Sequence, residues 1–180
     1  VYKRQTLAIP SKKVIYAPPI LCGVHVLNDL WLLELGLGPL GRVLEWATQV
    51  FKISYDEMEK MINEQLSSEL LVIPTFMGSR IAMNPTMKGM FLGLSLSDTR
   101  ETIINEILRG LTYELRHGMD IIEGAGLSVK ELRIVGGGAK SIAWSRLKAL
   151  ILRRRILIMK IKDAAVLGAS ILAGTSVGVF

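Results

Sequence analysis

A chain of 180 residues that is 50% hydrophobic is long enough for one domain with a real core, or for one lobe of a larger protein. Its formal charge of +6 comes largely from one run, Arg153–Arg155 with Lys160 and Lys162 following; no aromatic residues interleave it, which favours a solvated edge over a nucleic-acid or lipid surface. A single cysteine, Cys22, excludes an intramolecular disulfide and is compatible with a reducing cytoplasm.

Val1 to Gln5 lacks the apolar core and cleavage site of a signal peptide. With no initiator methionine, it is read as a non-native scar without functional weight. Val14 to Tyr16 and Ile20 to Leu27 are strand-like, separated by Pro18-Pro19, which cannot lie inside a central ladder. His25 has no histidine or cysteine at ligand spacing and is assigned a structural role rather than a metal. Trp31 to Leu35 is apolar without a decisive period. Gly36-Leu-Gly-Pro-Leu-Gly41 is a turn-rich loop feeding a helix from Arg42 to Phe51. Ser54 to Gln65 predicts a second helix, with Tyr55, Met58, Met61 and Ile62 on one face and Asp56, Glu57, Glu59 and Lys60 opposite.

Leu70 to Pro74 is a short buried-type strand, and turn chemistry runs from Thr75 to Gly89, where Arg80 is assigned a surface pairing. Met90 to Leu94 is the next strand. Asp98, with Glu101 three residues on, is expected to cap a long helix whose apolar face is Ile104, Ile107, Leu111, Leu115, Met119 and Ile122; Gly124 to Gly126 ends it. Leu132 to Val135 as strand, Ala139 to Leu150 as helix, Ile156 to Ile161 as strand and Asp163 to Ala173 as helix complete the chain. The alternation from residue 90 predicts an α/β fold, a mixed sheet with parallel members flanked by helices. Ala164 to Phe180 is uncharged and has a basic flank, but it falls short of the ~20 residues a bilayer requires. Glycines dilute it further, so a buried helix packed on a sheet is expected.

Gly136-Gly-Gly138 stands between a β-branched run and a helix. Glycines there allow positive φ and let a ligand approach the main chain, as in many nucleotide sites, although three glycines also make an ordinary strand-to-helix turn. The loop ending at Gly41 is a second feature of this kind.

From about Val24 onward, and most strongly from Ile73 to Phe180, the sequence resembles the C-terminal domain of FGGY family carbohydrate kinases, with a look closest to xylulokinase-like members. The residues that carry the resemblance are Pro74-Thr-Phe-Met-Gly-Ser-Arg80, Asn84-Pro85, Gly89-Met-Phe-Leu-Gly-Leu94, Gly110-Leu-Thr-Tyr-Glu-Leu-Arg116, Glu131 to Ser141 with Trp144, and Lys162 to Ser170. The resemblance implies a ribonuclease-H-like domain of the actin and hexokinase ATPase fold, with ATP and Mg²⁺ as cofactors and a ketose such as xylulose, or a related polyol, as substrate. By matching motif, Gly137 and Gly138 would approach ATP and Ile142 would lie beside the purine. Gly41 would match the glycine of the earlier loop, and Glu45 would stand where a glutamine is usual. The catalytic base would lie upstream, so no catalytic residue and no metal ligand is named in this chain.

The implied setting is cytoplasmic, without nucleic acid or membrane, and a homodimer is left open. The family's usual pattern is broken at Arg109, where an acidic residue is common, at Leu150, where aspartate is common, and at Arg153 to Arg155. A charge reversal in a packed helix is costly if the new charge is left unpaired. These departures keep a second reading in play, a non-catalytic nucleotide- or partner-binding domain of the same fold.

Overall fold

A computed structural model of the chain describes residues 5–66, 68–161 and 163–179. The expected scar falls mostly on residues 1–4, and Lys162 and Phe180 also lie outside the described residues. Gln5 is part of the fold, since its carbonyl accepts the Leu37 N–H at 2.9 Å.

Strands β1 (Thr6–Ser11), β2 (Leu21–Val24) and β3 (Trp31–Gly36) form an antiparallel sheet in the order β1-β3-β2. Helices α1 (Leu40–Phe51) and α2 (Tyr55–Met61) follow. Strands β4 (Leu71–Ile73) and β5 (Met90–Leu92) pair antiparallel, and the 25-residue helix α3 (Arg100–Gly124) comes next. The unit of β6 (Glu131–Ile134), α4 (Ile142–Leu152) and β7 (Arg155–Ile158) is a parallel crossover in the register Glu131↔Arg155 to Ile134↔Ile158. Helix α5 (Ala164–Ser176) is the last element.

α3 is the mast of the domain. All six residues predicted for its apolar face are buried, together with Leu108. Spaced three or four apart, they form one stripe; Ile104 to Met119 pack with Leu40, Val43 and Ala47 of α1, Met58 of α2 and Leu147 of α4, while Ile122 packs with Ile20, Leu33 and Leu35 in a second cluster. At Gly110 that packing leaves no room for a side chain, because a β-carbon would collide with the Val72 carbonyl of β4.

Polar residues of α3 fasten the surrounding elements at specific points. Asn105 donates to the Met61 carbonyl at 2.6 Å and accepts the Asn63 N–H at 2.8 Å. α2 consequently ends at Met61, short of the predicted Gln65, because its exit backbone bonds to α3 instead of continuing the helix. Thr112 accepts the Trp144 indole N–H at 3.0 Å, and Arg116 donates to the Leu152 carbonyl at 3.2 Å, so α4 is tied at both ends. Glu114 accepts the Gly38 N–H at 3.1 Å and holds the entry to α1.

Several expectations are corrected. The first strand is Thr6–Ser11, not Val14 to Tyr16; Leu7 and Ile9 alternate inward, and Pro10 is tolerated because β1 is an edge strand. Trp31 to Leu35 resolves as the central strand, with Leu33 and Leu35 each 1% exposed. The cap of α3 is Thr99, whose hydroxyl accepts the Thr102 N–H, while Asp98 instead closes the preceding turn onto Ser95. β5 pairs with β4 rather than with β6, so β6 and β7 are the parallel pair among the described residues. α5 is not a buried helix: none of its residues is buried, and Val166, Leu167, Ile171 and Leu172 are exposed, because the two-stranded β6–β7 sheet offers it no covering surface. Among the described residues, no helix is long and apolar enough to cross a membrane.

Candidate nucleotide site

In crossover units of this kind, ligands bind beyond the carboxyl ends of the strands. That place is occupied here by the segment Gly136 to Ser141, between β6 and α4. Gly136 has φ +78°, which a residue with a side chain would adopt under strain, so one glycine of the three is required by the backbone. Gly137 to Ala139 then form a 3₁₀ turn rather than the start of α4.

The other two glycines are not explained by the fold. A β-carbon on Gly137 would meet nothing within 4 Å, and one on Gly138 would reach ordinary contact, 3.7 Å from the Lys148 Nζ and 4.0 Å from the Trp144 ring. Both are exposed. Their backbone is thus open to an approaching flat group. Ile142, the first residue of α4, is 51% exposed beside the same turn.

α4 begins at Ser141, whose hydroxyl accepts the Trp144 N–H at 3.0 Å. Glu59 reaches across from α2, accepting the Ser141 hydroxyl through one carboxylate oxygen and the Ala143 N–H at 2.8 Å through the other. A helix N-terminus attracts negative charge, and here Glu59 already supplies it. The first turn of α4 therefore favours an uncharged part of a ligand over a phosphate. Sequence reasoning placed Glu59 on a solvated face and missed this role; nothing in the local pattern points 82 residues ahead to Ser141.

Sequence reasoning also missed Lys148. Its position among Trp144, Leu147 and Leu152, all buried, puts it on the inward side of α4, and it is 2% exposed. The ammonium donates to the Gly138 carbonyl at 3.1 Å and lies 3.6 Å from the Trp144 ring centroid. Burial lowers its pKa to about 8. A lysine in register with the apolar stripe was the signal available.

Gly41 and Glu45 sit elsewhere. Gly41 lies inside the first turn of α1, not in the loop before it, because Pro39 is the cap and Leu40 is already helical. Glu45, one turn on, is exposed and pairs with Arg42 at 3.7 Å. Hydrogen bonds from α2 and α4 hold the glycine turn and the start of the helix after it. The structure thus brings together Gly137, Gly138 and Ile142, and leaves Gly41 and Glu45 on a separate helix.

A sequence model of the C-terminal domain of FGGY family carbohydrate kinases matches residues 10–177. The chain belongs to this family. It is 27% identical over 169 residues to a xylulose kinase of Haemophilus influenzae, covering 92% of this chain and 34% of that protein. A xylulose kinase of Staphylococcus epidermidis is 31% identical over 146 residues, covering 78% of this chain and 29% of that protein. Among solved structures, the glycerol kinase of Plasmodium falciparum with ADP aligns with a TM-score of 0.87 at 21% identity, over 98% of this chain and 37% of that one. The ligand-bound xylulose kinase of Lactobacillus acidophilus also gives 0.87, at 19% identity and the same coverage. The chain spans about a third of the length of the curated relatives it matches.

The FGGY fold, an α/β domain of the actin and hexokinase class, is therefore the fold of this chain. Its departure at Arg109 leaves no stranded charge: the guanidinium donates to the Glu64 and Leu66 carbonyls at 3.0 and 2.8 Å and pairs with Glu106 at 3.4 Å. Leu150 is 55% exposed and carries no core packing. The basic run is only partly a solvated edge. Arg154 turns inward to the Val129 carbonyl and to Glu123, both at 2.7 Å. Among the described residues no group of three His, Cys, Asp or Glu side chains is arranged to hold a metal.

Proposed function

We propose that this chain is the ATP-binding C-terminal domain of a carbohydrate kinase, which transfers the γ-phosphate of ATP to a hydroxyl of a ketose such as xylulose or of a related polyol. The observation that carries the reading is the exposed Gly137–Gly138 backbone at the carboxyl end of β6, two glycines that neither backbone conformation nor packing requires. Family membership and the kinase names of the relatives support it.

The purine and ribose lie against Gly137 and Gly138, where the absence of β-carbons allows van der Waals contact with the main chain. Ile142 offers an apolar surface to the base. Because Glu59 occupies the first turn of α4, the phosphates extend away from it, toward the remainder of the kinase. By matching motif alone, Gly41 and Glu45 would reach the nucleotide from α1, a helix separate from the glycine turn. Mg²⁺, the proton acceptor for the sugar hydroxyl and most of the sugar contacts are supplied outside these residues; bound Mg²⁺ neutralises phosphate charge during transfer. The cytoplasm is the proposed setting, consistent with the single cysteine.

Calorimetry of ATP against the complete protein that carries this chain tests the reading. Wild type should bind, and Gly138→Val should bind about tenfold more weakly, equivalent to ~1.4 kcal/mol. Equal affinities would remove the nucleotide from this turn. A sugar panel assayed with the same protein then separates a kinase from the alternative. ATP binding without phosphate transfer to any sugar would identify a non-catalytic nucleotide- or partner-binding domain.

A further inference from the structure

Lys148 has a slot that stability does not explain. Its side chain is buried on α4, and among the described residues no carboxylate pairs with it. A buried ammonium without a counter-ion is unfavourable, and an unbranched apolar side chain of similar length would fill the same space at lower cost. The ring beneath the ammonium cannot turn aside, because the Trp144 indole is itself fixed to Thr112 at 3.0 Å. From that platform, 3.6 Å above the ring centroid, the ammonium donates to the carbonyl of Gly138. Gly138 belongs to the turn at the carboxyl end of β6, where neither Gly137 nor Gly138 is required by close packing.

We propose that Lys148 is a positioning residue for the nucleotide: from inside the domain it holds the Gly138 carbonyl, and so sets the height and orientation at which the Gly137–Gly138 backbone meets the ligand. The proposal rests on the ATP reading given above. Glycines leave a turn conformationally loose, and ordering it only when the ligand arrives would weaken binding; a charge-assisted bond from the interior removes that freedom beforehand. The chain of contacts runs from α3 through Thr112 and Trp144 to Lys148 and then to Gly138, joining the buried long helix to the exposed glycine turn.

Lys148→Met tests this in the complete protein by three measurements. Thermal unfolding should stay at or above the wild-type midpoint, because a buried charge is removed. Amide hydrogen exchange should accelerate about tenfold across residues 137–140 and remain unchanged in α3. ATP affinity should fall about tenfold. A midpoint lowered by more than about 5 °C would assign Lys148 to the core alone and overturn the proposal. Unchanged exchange in the turn, or unchanged ATP affinity, would also overturn it. Wild-type protein that does not bind ATP would instead overturn the nucleotide reading itself, whereas wild-type binding that survives Lys148→Met rejects only the role of Lys148.

Discussion

Two glycine loops each lead into a helix in this domain, and they keep their glycines for different reasons. In the loop before α1, the glycines are surrounded. A β-carbon on Gly36 would come within 3.1 Å of Arg80, and one on Gly38 would come within 3.3 Å of Glu114, which also holds the Gly38 N–H. In the turn before α4, Gly136 is set by its backbone angle, but Gly137 and Gly138 have space above them. The first loop is shaped by its own domain. The second keeps an open face, which a ligand can use. A glycine in a sequence motif therefore acquires functional weight when the folded chain leaves it unexplained.

That contrast can be broken by filling both kinds of site. The largest effect is expected at Gly110, a closed glycine of the core. Gly110→Val drives a side chain into the Val72 carbonyl and should lower stability by about 3 kcal/mol, measured by urea unfolding. A loss below about 1 kcal/mol would mean that α3 can move off β4 freely. Gly38→Val is next, at about 1–2 kcal/mol, because the Glu114 carboxylate has to shift and its bond to the loop is strained. In the open turn the same change should behave differently. Gly138→Val is expected to alter unfolding free energy by no more than about 0.5 kcal/mol, the range of an ordinary surface substitution. A stability loss equal to that of Gly38→Val would erase the distinction between the loops.

The smallest effect sharpens the comparison through pH. Burial raises the pKa of Glu114 above the ordinary carboxyl value of 4.5, opposed by the Gly38 N–H and by His117. Because the raised value belongs to the folded state, the native protein binds this proton more tightly than the unfolded chain. Below pH 4.5 both states are protonated and there is no penalty; as pH rises through the folded value, stability is lost. Glu114→Gln keeps an acceptor for Gly38 without the charge. Its stability relative to wild type should therefore increase as pH rises from 4 to 7. A difference that stays flat across that interval would show that the carboxylate is well solvated.

The buried stripe of α3 was legible in the sequence because about five turns of regular spacing leave little ambiguity, and all six of its predicted positions are buried. Gly137, Gly138 and Ile142 were legible as a group because they are neighbours along the chain. Gly41 was legible as a residue but not as part of a helix, since Pro39 starts α1 earlier than the loop composition suggests. α5 was misjudged because apolar composition reports what a helix could bury, not whether anything covers it.

What the sequence determined by itself is local: the helical periods, the turn before α4, and the family-specific run from Glu131 to Ser141. What only the tertiary structure decided involves residues far apart. The Glu59 carboxylate closes the N-terminus of a helix 82 residues away, and Asn105 ends α2 across a separation of 42. Whether the glycines are enclosed or open is a decision of the same kind. Periodicity and turn chemistry are written in neighbours and can be read from them, whereas the satisfaction of a buried charge or a free N–H depends on which distant side chain the fold brings within about 3 Å.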